Sequence, residues 1–408
     1  MAQQHIEPWS RVRARALAQL TAAALLLFPA ALHAQPAAWQ PTLRALAERL
    51  HADVTADSVG GITAGVVLSD RLVWSTAAGW ADRDRRIAAQ RHTIYRIGSI
   101  SKSFTAVALA QLASRGTLAL DDPVERYLPE VRALADAPPA AAPISLRQLA
   151  SHTAGLIREP RLQDAARGPI EAWEEKLLAS IPATSFDTLP GARYAYSNIG
   201  FGILGVAISR AARVPFMQLL TTNIFRPLQL GSTTFIIDDE LKPRLAVGYA
   251  NSRTRIDADT PAREHTGRGY KVPNGGIYST ADDLARFIAA LSGAPGMEIL
   301  DSVARAEVMR VHTPENARNG YGLGFSVRLL DDGGRVVSHG GSVAGYTAHI
   351  AFDPDCGIGV ILLRNYGQGR TNLQRTATDV LLRLREAGTG ARAPGCRADP
   401  PQLLPAPR

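Results

Sequence analysis

The apolar residues of this chain change their spacing twice, and that double switch limits the folds open to it. Ile62–Leu68 and Leu72–Thr76 are short β-rich runs separated by Ser69-Asp70-Arg71, the pattern of a hairpin. From Ser101 to Arg115 the spacing turns helical through Phe104, Val107, Ala108 and Leu112, and Gly116 stops it. Further helical stretches lie at Ile144–Ala150, Ile170–Ser180, Ile199–Ala211 and Ala281–Leu291. Strand character returns at Arg335–Ser338, Tyr346–Phe352 and Gly359–Arg364, with Asp353-Pro354-Asp355 as a turn. Pro41–His51 and Thr371–Glu386 read as helices near the two ends. Strand-rich ends around a helical middle predict an α/β chain of the α+β type: a mixed antiparallel sheet flanked by terminal helices, with an inserted all-helical lobe.

The first 34 residues read as an address. Arg11, Arg13 and Arg15 precede an apolar run from Ala16 to Leu32, which closes on Leu32-His33-Ala34, the layout of a secretory signal. The run contains Gln19 and Thr21 and is short for a span of ~20 apolar residues. Cleavage is therefore expected, an uncleaved anchor being the alternative. The mature protein is expected to be periplasmic or secreted, without a stable membrane span. Residues 35–388 form the expected domain, with a sheet lobe at about 40–100 and 300–388 and a helical lobe at about 104–295. Residues 389–408 form a Pro/Ala-rich tail. In an oxidising compartment, the only two cysteines, Cys356 and Cys396, are candidates for a disulfide tying that tail to the body; two free thiols are the alternative.

Net charge is +8, but the basic residues are scattered, with no long run of like charge, so no nucleic-acid partner is expected. Only four of the 45 basic residues are lysine. One of them, Lys102, closes the sole S-x-x-K in the chain, Ser99-Ile100-Ser101-Lys102, where a helix would start. A serine hydroxyl is a weak nucleophile until a base takes its proton, and an amine one helical turn away in a desolvated cleft can do so. Tyr196-Ser197-Asn198 precedes an apolar helix; a phenol can shuttle protons, and Asn198 offers a donor and an acceptor. His339-Gly340-Gly341-Ser342 follows a strand, where glycines permit close approach and the Ser342 N–H can face an oxyanion. Tyr249-Ala250-Asn251 and His265-Thr266-Gly267 repeat two of these spacings without the flanking helix or strand. No G-x-S-x-G elbow and no H-E-x-x-H occurs, which disfavours an α/β-hydrolase and a zinc hydrolase.

The stretches Tyr95–Ala106, Leu149–Leu156, Tyr196–Gly202 and Gly275–Leu284, together with His339-Gly340-Gly341, resemble the serine β-lactamase-related family. That family includes class C β-lactamases, D-alanyl-D-alanine carboxypeptidases, D-aminopeptidases and family VIII esterases. The resemblance spans about residues 40 to 386 and implies a β-lactamase/transpeptidase-like fold. It implies that Ser99 is the acylated nucleophile. Lys102 is then either the base or the cation that makes Tyr196 the base. Tyr196 would pass a proton to the leaving group, and Asn198 would orient the substrate. The N–H groups of Ser99 and Ser342 would form the oxyanion hole, with His339, Gly340 and Gly341 on the substrate strand. His152 and Gly276 are read as structural. β-Lactamases of the family usually carry lysine where this chain has His339, so the resemblance leans toward carboxypeptidase and esterase members and away from efficient β-lactam hydrolysis. It implies an exported serine acyl hydrolase acting on a small-molecule or peptide substrate, with no metal or organic cofactor. The second reading is a penicillin-binding-fold sensor or binding protein without turnover. Oligomeric state is open.

Overall fold

Strands β1 (Gly61–Leu68) and β2 (Arg71–Asp82) form the expected hairpin, which β3 (Ile87–Ala88) extends at its edge. The distant end of the chain supplies β4 (Asn319–Tyr321), β5 (Ser326–Leu329), β6 (Arg335–Val343), β7 (Tyr346–Asp353) and β8 (Ile358–Arg364). The order across the sheet is β3-β2-β1-β8-β7-β6-β5-β4, antiparallel at every pairing. First and last long strands thus meet at its centre, with Ile62 opposite Arg364 and Leu68 opposite Ile358. The computed structural model describes residues 35–138, 142–251, 255–313, 316 and 318–388. The expected signal segment, the tail and Cys396 lie outside the described residues; Cys356 is buried at the turn between β7 and β8.

Period-two alternation assigns the two faces. Ile358, Val360 and Leu362 of β8, with Ile62, Ala64 and Val66 of β1, join one core, and Ile361 and Leu363 join the other. Helix α1 (Gln40–Asp57) covers the first face with Leu43, Leu46, Leu50 and Val54, a stripe at helical spacing. The last helix of the described chain, Leu373–Ala387, adds Ala377, Val380, Leu381 and Leu384 beside it. Arg364 at the end of β8 is ion-paired with Asp57 at the end of α1; their side chains are 1% and 6% exposed, so the two chain ends are fastened together inside the protein.

The opposite face carries the inserted helices. Helix α2 (Ser101–Ser114) is buried from Ser101 to Leu112, all the way round, so it needs neighbours on every side. Helix α3 (Asn198–Ala212) and the short turn Val272–Gly275 are two of them. Helix α4 (Ala281–Leu291) differs from expectation. Grouped by sequence with the helical lobe, it instead packs against β1, β2 and β8, with Ile288 against the bare backbone of Gly359. A second difference concerns β6, which does not stop at Ser338 but continues through His339–Ser342 to Val343, pairing Gly341 with Ala348. The described chain therefore presents His339-Gly340-Gly341-Ser342 as strand, and the glycines are held by the ladder rather than by a turn.

Candidate active site

Ser99 sits in a 3₁₀ turn, Gly98–Ile100, that leads directly into α2. Gly98 has φ +53°, a conformation that costs a glycine little. A Cβ on Gly98 would lie 2.8 Å from the Ser342 nitrogen, and a Cβ on Gly341 would lie 1.9 Å from the Ile97 carbonyl oxygen and 3.2 Å from the Ser99 nitrogen. Two missing side chains thus let β6 lie directly on the nucleophile turn. The backbones of Ser99 and Ser342 become neighbours, as two oxyanion donors must be. Ser99 itself is half-buried, open enough to be reached.

Lys102, one turn into the site, is fully buried. Its Nζ meets Asn198 Oδ1 at 2.8 Å, the Asn274 carbonyl at 3.2 Å and Ser99 Oγ at 3.1 Å. An amide oxygen and a carbonyl can only accept, so they take two N–H groups. The third direction points at Ser99 Oγ, as an N–H when the amine is charged and as a lone pair when it is neutral. Burial pushes the Lys102 pKa well below the ordinary lysine value, the charges of Arg158 and Arg268 add to the fall, and Glu159 opposes it.

Tyr196 completes the group. Its ring lies 4.8 Å from Lys102 Nζ and 4.8 Å from Arg158 Cζ, and the Ser99 side chain acts on its phenol. Burial raises the phenol pKa, while the Ser99 side chain and the Arg158 charge oppose the rise. The structure therefore brings Ser99, Lys102 and Tyr196 together from three segments. Tyr249 and His265 are elsewhere: Tyr249 packs with Val59 and Tyr366, and His265 bonds to Tyr278.

Two residues expected to meet substrate are turned inward. The Asn198 amide spends its oxygen on Lys102 and its Nδ2 on Glu159 Oε1 at 2.7 Å, making it a bridge inside the protein. His339 is buried, with Nδ1 2.7 Å from the Gly340 carbonyl and Nε2 2.7 Å from the Tyr321 hydroxyl. The carbonyl must accept, so Nδ1 carries the proton and Nε2 receives the Tyr321 O–H. Burial and the nearby Lys102 charge push the His339 pKa down to about 3, so the ring is uncharged at neutral pH. It supplies no fixed cation.

Sequence reasoning missed four contributors and read a fifth, His152, as structural. Arg158 and Glu159 belong to a loop clamped onto the Tyr196-Ser197-Asn198 turn: Ser197 Oγ donates to the Ile157 carbonyl at 2.8 Å, and the Asn198 N–H donates to the Arg158 carbonyl at 2.9 Å. Asn274 holds Lys102 through its carbonyl and the Asn198 carbonyl through its side chain at 2.6 Å. Tyr321 fixes His339. His152, read as structural, lies 4.1 Å from the Tyr196 ring, and its Nδ1 accepts the Ser197 N–H at 3.1 Å. Of the four missed, only Asn274 had a signal in reach, standing just before the Gly275-Gly276 stretch. Among the described residues, no group of three or more His, Cys, Asp or Glu could hold a metal ion.

A family profile described as Beta-lactamase matches residues 43–384. The chain is 28% identical over 341 residues to Esterase EstB of Burkholderia gladioli, which is 75% of this chain and 86% of that protein. It is also 28% identical over 299 residues to the D-alanyl-D-alanine-carboxypeptidase/endopeptidase AmpH of Escherichia coli (strain K12), 68% of this chain and 72% of that one. To Beta-lactamase-like protein 4 of Dictyostelium discoideum it is 26% identical over 324 residues, and there it spans only 56% of the relative's length. Its fold matches the octameric penicillin-binding protein homologue from Pyrococcus abyssi with a TM-score of 0.69 at 24% identity, covering 87% of this chain and 80% of that one. With the profile match running through nearly all of the described chain, the protein belongs to the Beta-lactamase family.

Proposed function

We propose that this protein is an exported serine acyl hydrolase, periplasmic or secreted, that turns over esters or peptides through an acyl-enzyme on Ser99. The observation that carries the reading is the Lys102 amine, held by two acceptor-only groups and aimed at Ser99 Oγ. With its pKa lowered, the amine is neutral for a useful fraction of the time, and its lone pair takes the Ser99 proton as Oγ attacks the acyl carbon. The half-buried Tyr196 phenol, its pKa raised, keeps its own proton and is therefore the acid for the leaving group, recharged afterwards from the Lys102 ammonium. Of the two roles open to Lys102, the pKa directions favour the base. The backbone N–H groups of Ser99 and Ser342 receive the oxyanion, a contribution of about 3–4 kcal/mol per donor in comparable sites. Water then attacks the acyl-enzyme and returns Ser99. Similarity to an esterase and a carboxypeptidase supports the acyl-transfer class, and an uncharged His339 supports weak rather than efficient β-lactam turnover.

The test is steady-state hydrolysis of p-nitrophenyl acetate by the wild type, Ser99→Ala and Lys102→Met. The expected result is a loss of kcat/KM by about 10³-fold or more in each variant. Turnover surviving in Ser99→Ala overturns the reading, and so does a wild type that labels with a fluorophosphonate yet turns nothing over, the behaviour of a sensor.

A further inference from the structure

We infer that Arg158 is the residue that selects substrates by charge, gripping an anionic group, such as a carboxylate, on the leaving-group side of the scissile bond; this rests on the acyl-transfer reading above. Cations around the site are otherwise committed. Lys102 is buried and meets three protein acceptors. Arg268 is nearly buried, 3.0 Å from Glu264 and 3.2 Å from the Gly275 carbonyl. Lys271 is 3.0 Å from Glu159. His339, at the position where a charged side chain would face the substrate, is locked between Tyr321 and Gly340.

Arg158 is different. It is exposed, and its guanidinium makes no ion pair or hydrogen bond among the described residues. Its position is nevertheless fixed. The N–H groups of Asn198 and Ile199 donate to its carbonyl at 2.9 and 3.4 Å, so the backbone of Arg158 is bolted to the start of α3. Its guanidinium carbon then lies over the Tyr196 ring, 4.8 Å from the centroid. A cation–π contact spends none of the guanidinium N–H groups on an oxygen acceptor, so they remain for a ligand, and arginine holds a carboxylate bidentately through two of them. The neighbouring carboxylate does not quench it, because Glu159 is drawn away to Asn198, Tyr270 and Lys271. Since the Tyr196 phenol delivers the proton to the departing atom, a cation lying on that phenol stands beside the departing group, not the acyl chain.

The experiment compares kcat/KM for phenyl acetate and 3-carboxyphenyl acetate, which share an acyl group, with monophenyl succinate carrying the carboxylate on the acyl side. Each rate is divided by its alkaline hydrolysis rate to remove intrinsic leaving-group reactivity. The wild type is expected to prefer the 3-carboxyphenyl ester over phenyl acetate. Arg158→Ala should cut that preference by about tenfold or more, mainly through KM, as expected for losing a charge-assisted hydrogen bond. Arg158→Lys should keep part of it and Arg158→Glu reverse it. A merely structural arginine would lower all three rates together and leave the ratios alone. Unchanged ratios in Arg158→Ala, or a loss confined to monophenyl succinate, overturn the inference while Ser99-dependent turnover keeps the hydrolase reading. Absence of Ser99-dependent turnover on every ester overturns both.

Discussion

At the scale of single residues, the site is an arrangement of charges around one buried amine. Burial is the first cause of the low Lys102 pKa, and Glu159 and Arg158 trim it in opposite directions. Base catalysis needs neutral Lys102, so the acid limb of the pH profile reports its titration. Removing the Glu159 charge lowers the Lys102 pKa further, and removing the Arg158 charge relieves part of the fall. Glu159→Gln should therefore move the acid limb of kcat/KM on a neutral ester to lower pH, and Arg158→Ala should move it to higher pH. Shifts in the same direction, or none, would show that another group governs that limb. Ser99, Lys102 and Tyr196 were legible because each stands in a compact local pattern next to a helix. Arg158, Glu159 and Tyr321 were not, since each reaches the site only when a loop or an edge strand folds over a distant element. Asn198 and His339 were legible as members of the site, but which way their polar atoms point is decided by Glu159, Asn274 and Tyr321, and no spacing encodes that.

At the scale of elements, the decisive contact is β6 against the turn that opens α2. Neither could approach the other with a side chain at Gly98 or Gly341. Gly341→Ala must push the strand off Ile97 and separate the two oxyanion donors, and a misplacement of about 1 Å at such a site is worth roughly 10²-fold in rate. The variant is predicted to lose kcat/KM on that scale while its far-UV circular dichroism stays native. Near-wild-type activity would mean that the two backbones do not form the hole. Strands in the middle of the sheet were readable, for β7 and β8 are buried on both faces and β8 is rich in branched residues. Ile87–Ala88, Asn319–Tyr321 and Ser326–Leu329 escaped because strands of two to four residues, two of them at the sheet edges, hold too few apolar positions to show a period. The extension of β6 past Ser338 escaped for another reason: two successive glycines look like a turn until a partner strand is known.

At the scale of the whole molecule, a sheet closed by both ends of the chain was visible in the order of periodicities, whereas the seat of α4 on that sheet was not, its apolar stripe fitting a helical neighbour equally well. The closed interior stores several uncharged imidazoles. Burial lowers His265, His312 and His349 to about 4 and His339 to about 3. In the unfolded chain each titrates near 6.5, so below that pH the unfolded state binds more protons and stability is lost progressively down to the folded values. Burial lowers His152 as well, making five imidazoles; Asp283 and Asp353, raised by burial, pull the other way, but they are two against five and act nearer the carboxylate range. Calorimetry should show Tm falling steeply between pH 6.5 and about 4.5; a flat Tm in that window would mean the imidazoles are hydrated. The shell also delivers a hydroxyl, an amine and a phenol from Ser99, α2 and the start of α3 to one point, and the most direct test of that convergence is rapid-quench intact mass after mixing with p-nitrophenyl acetate. A transient gain of one acetyl group is expected, mapped to the peptide holding Ser99 and absent in Ser99→Ala, with its formation slowed in Lys102→Met. An adduct that persists in Ser99→Ala, or turnover with no adduct at any quench time, would contradict it.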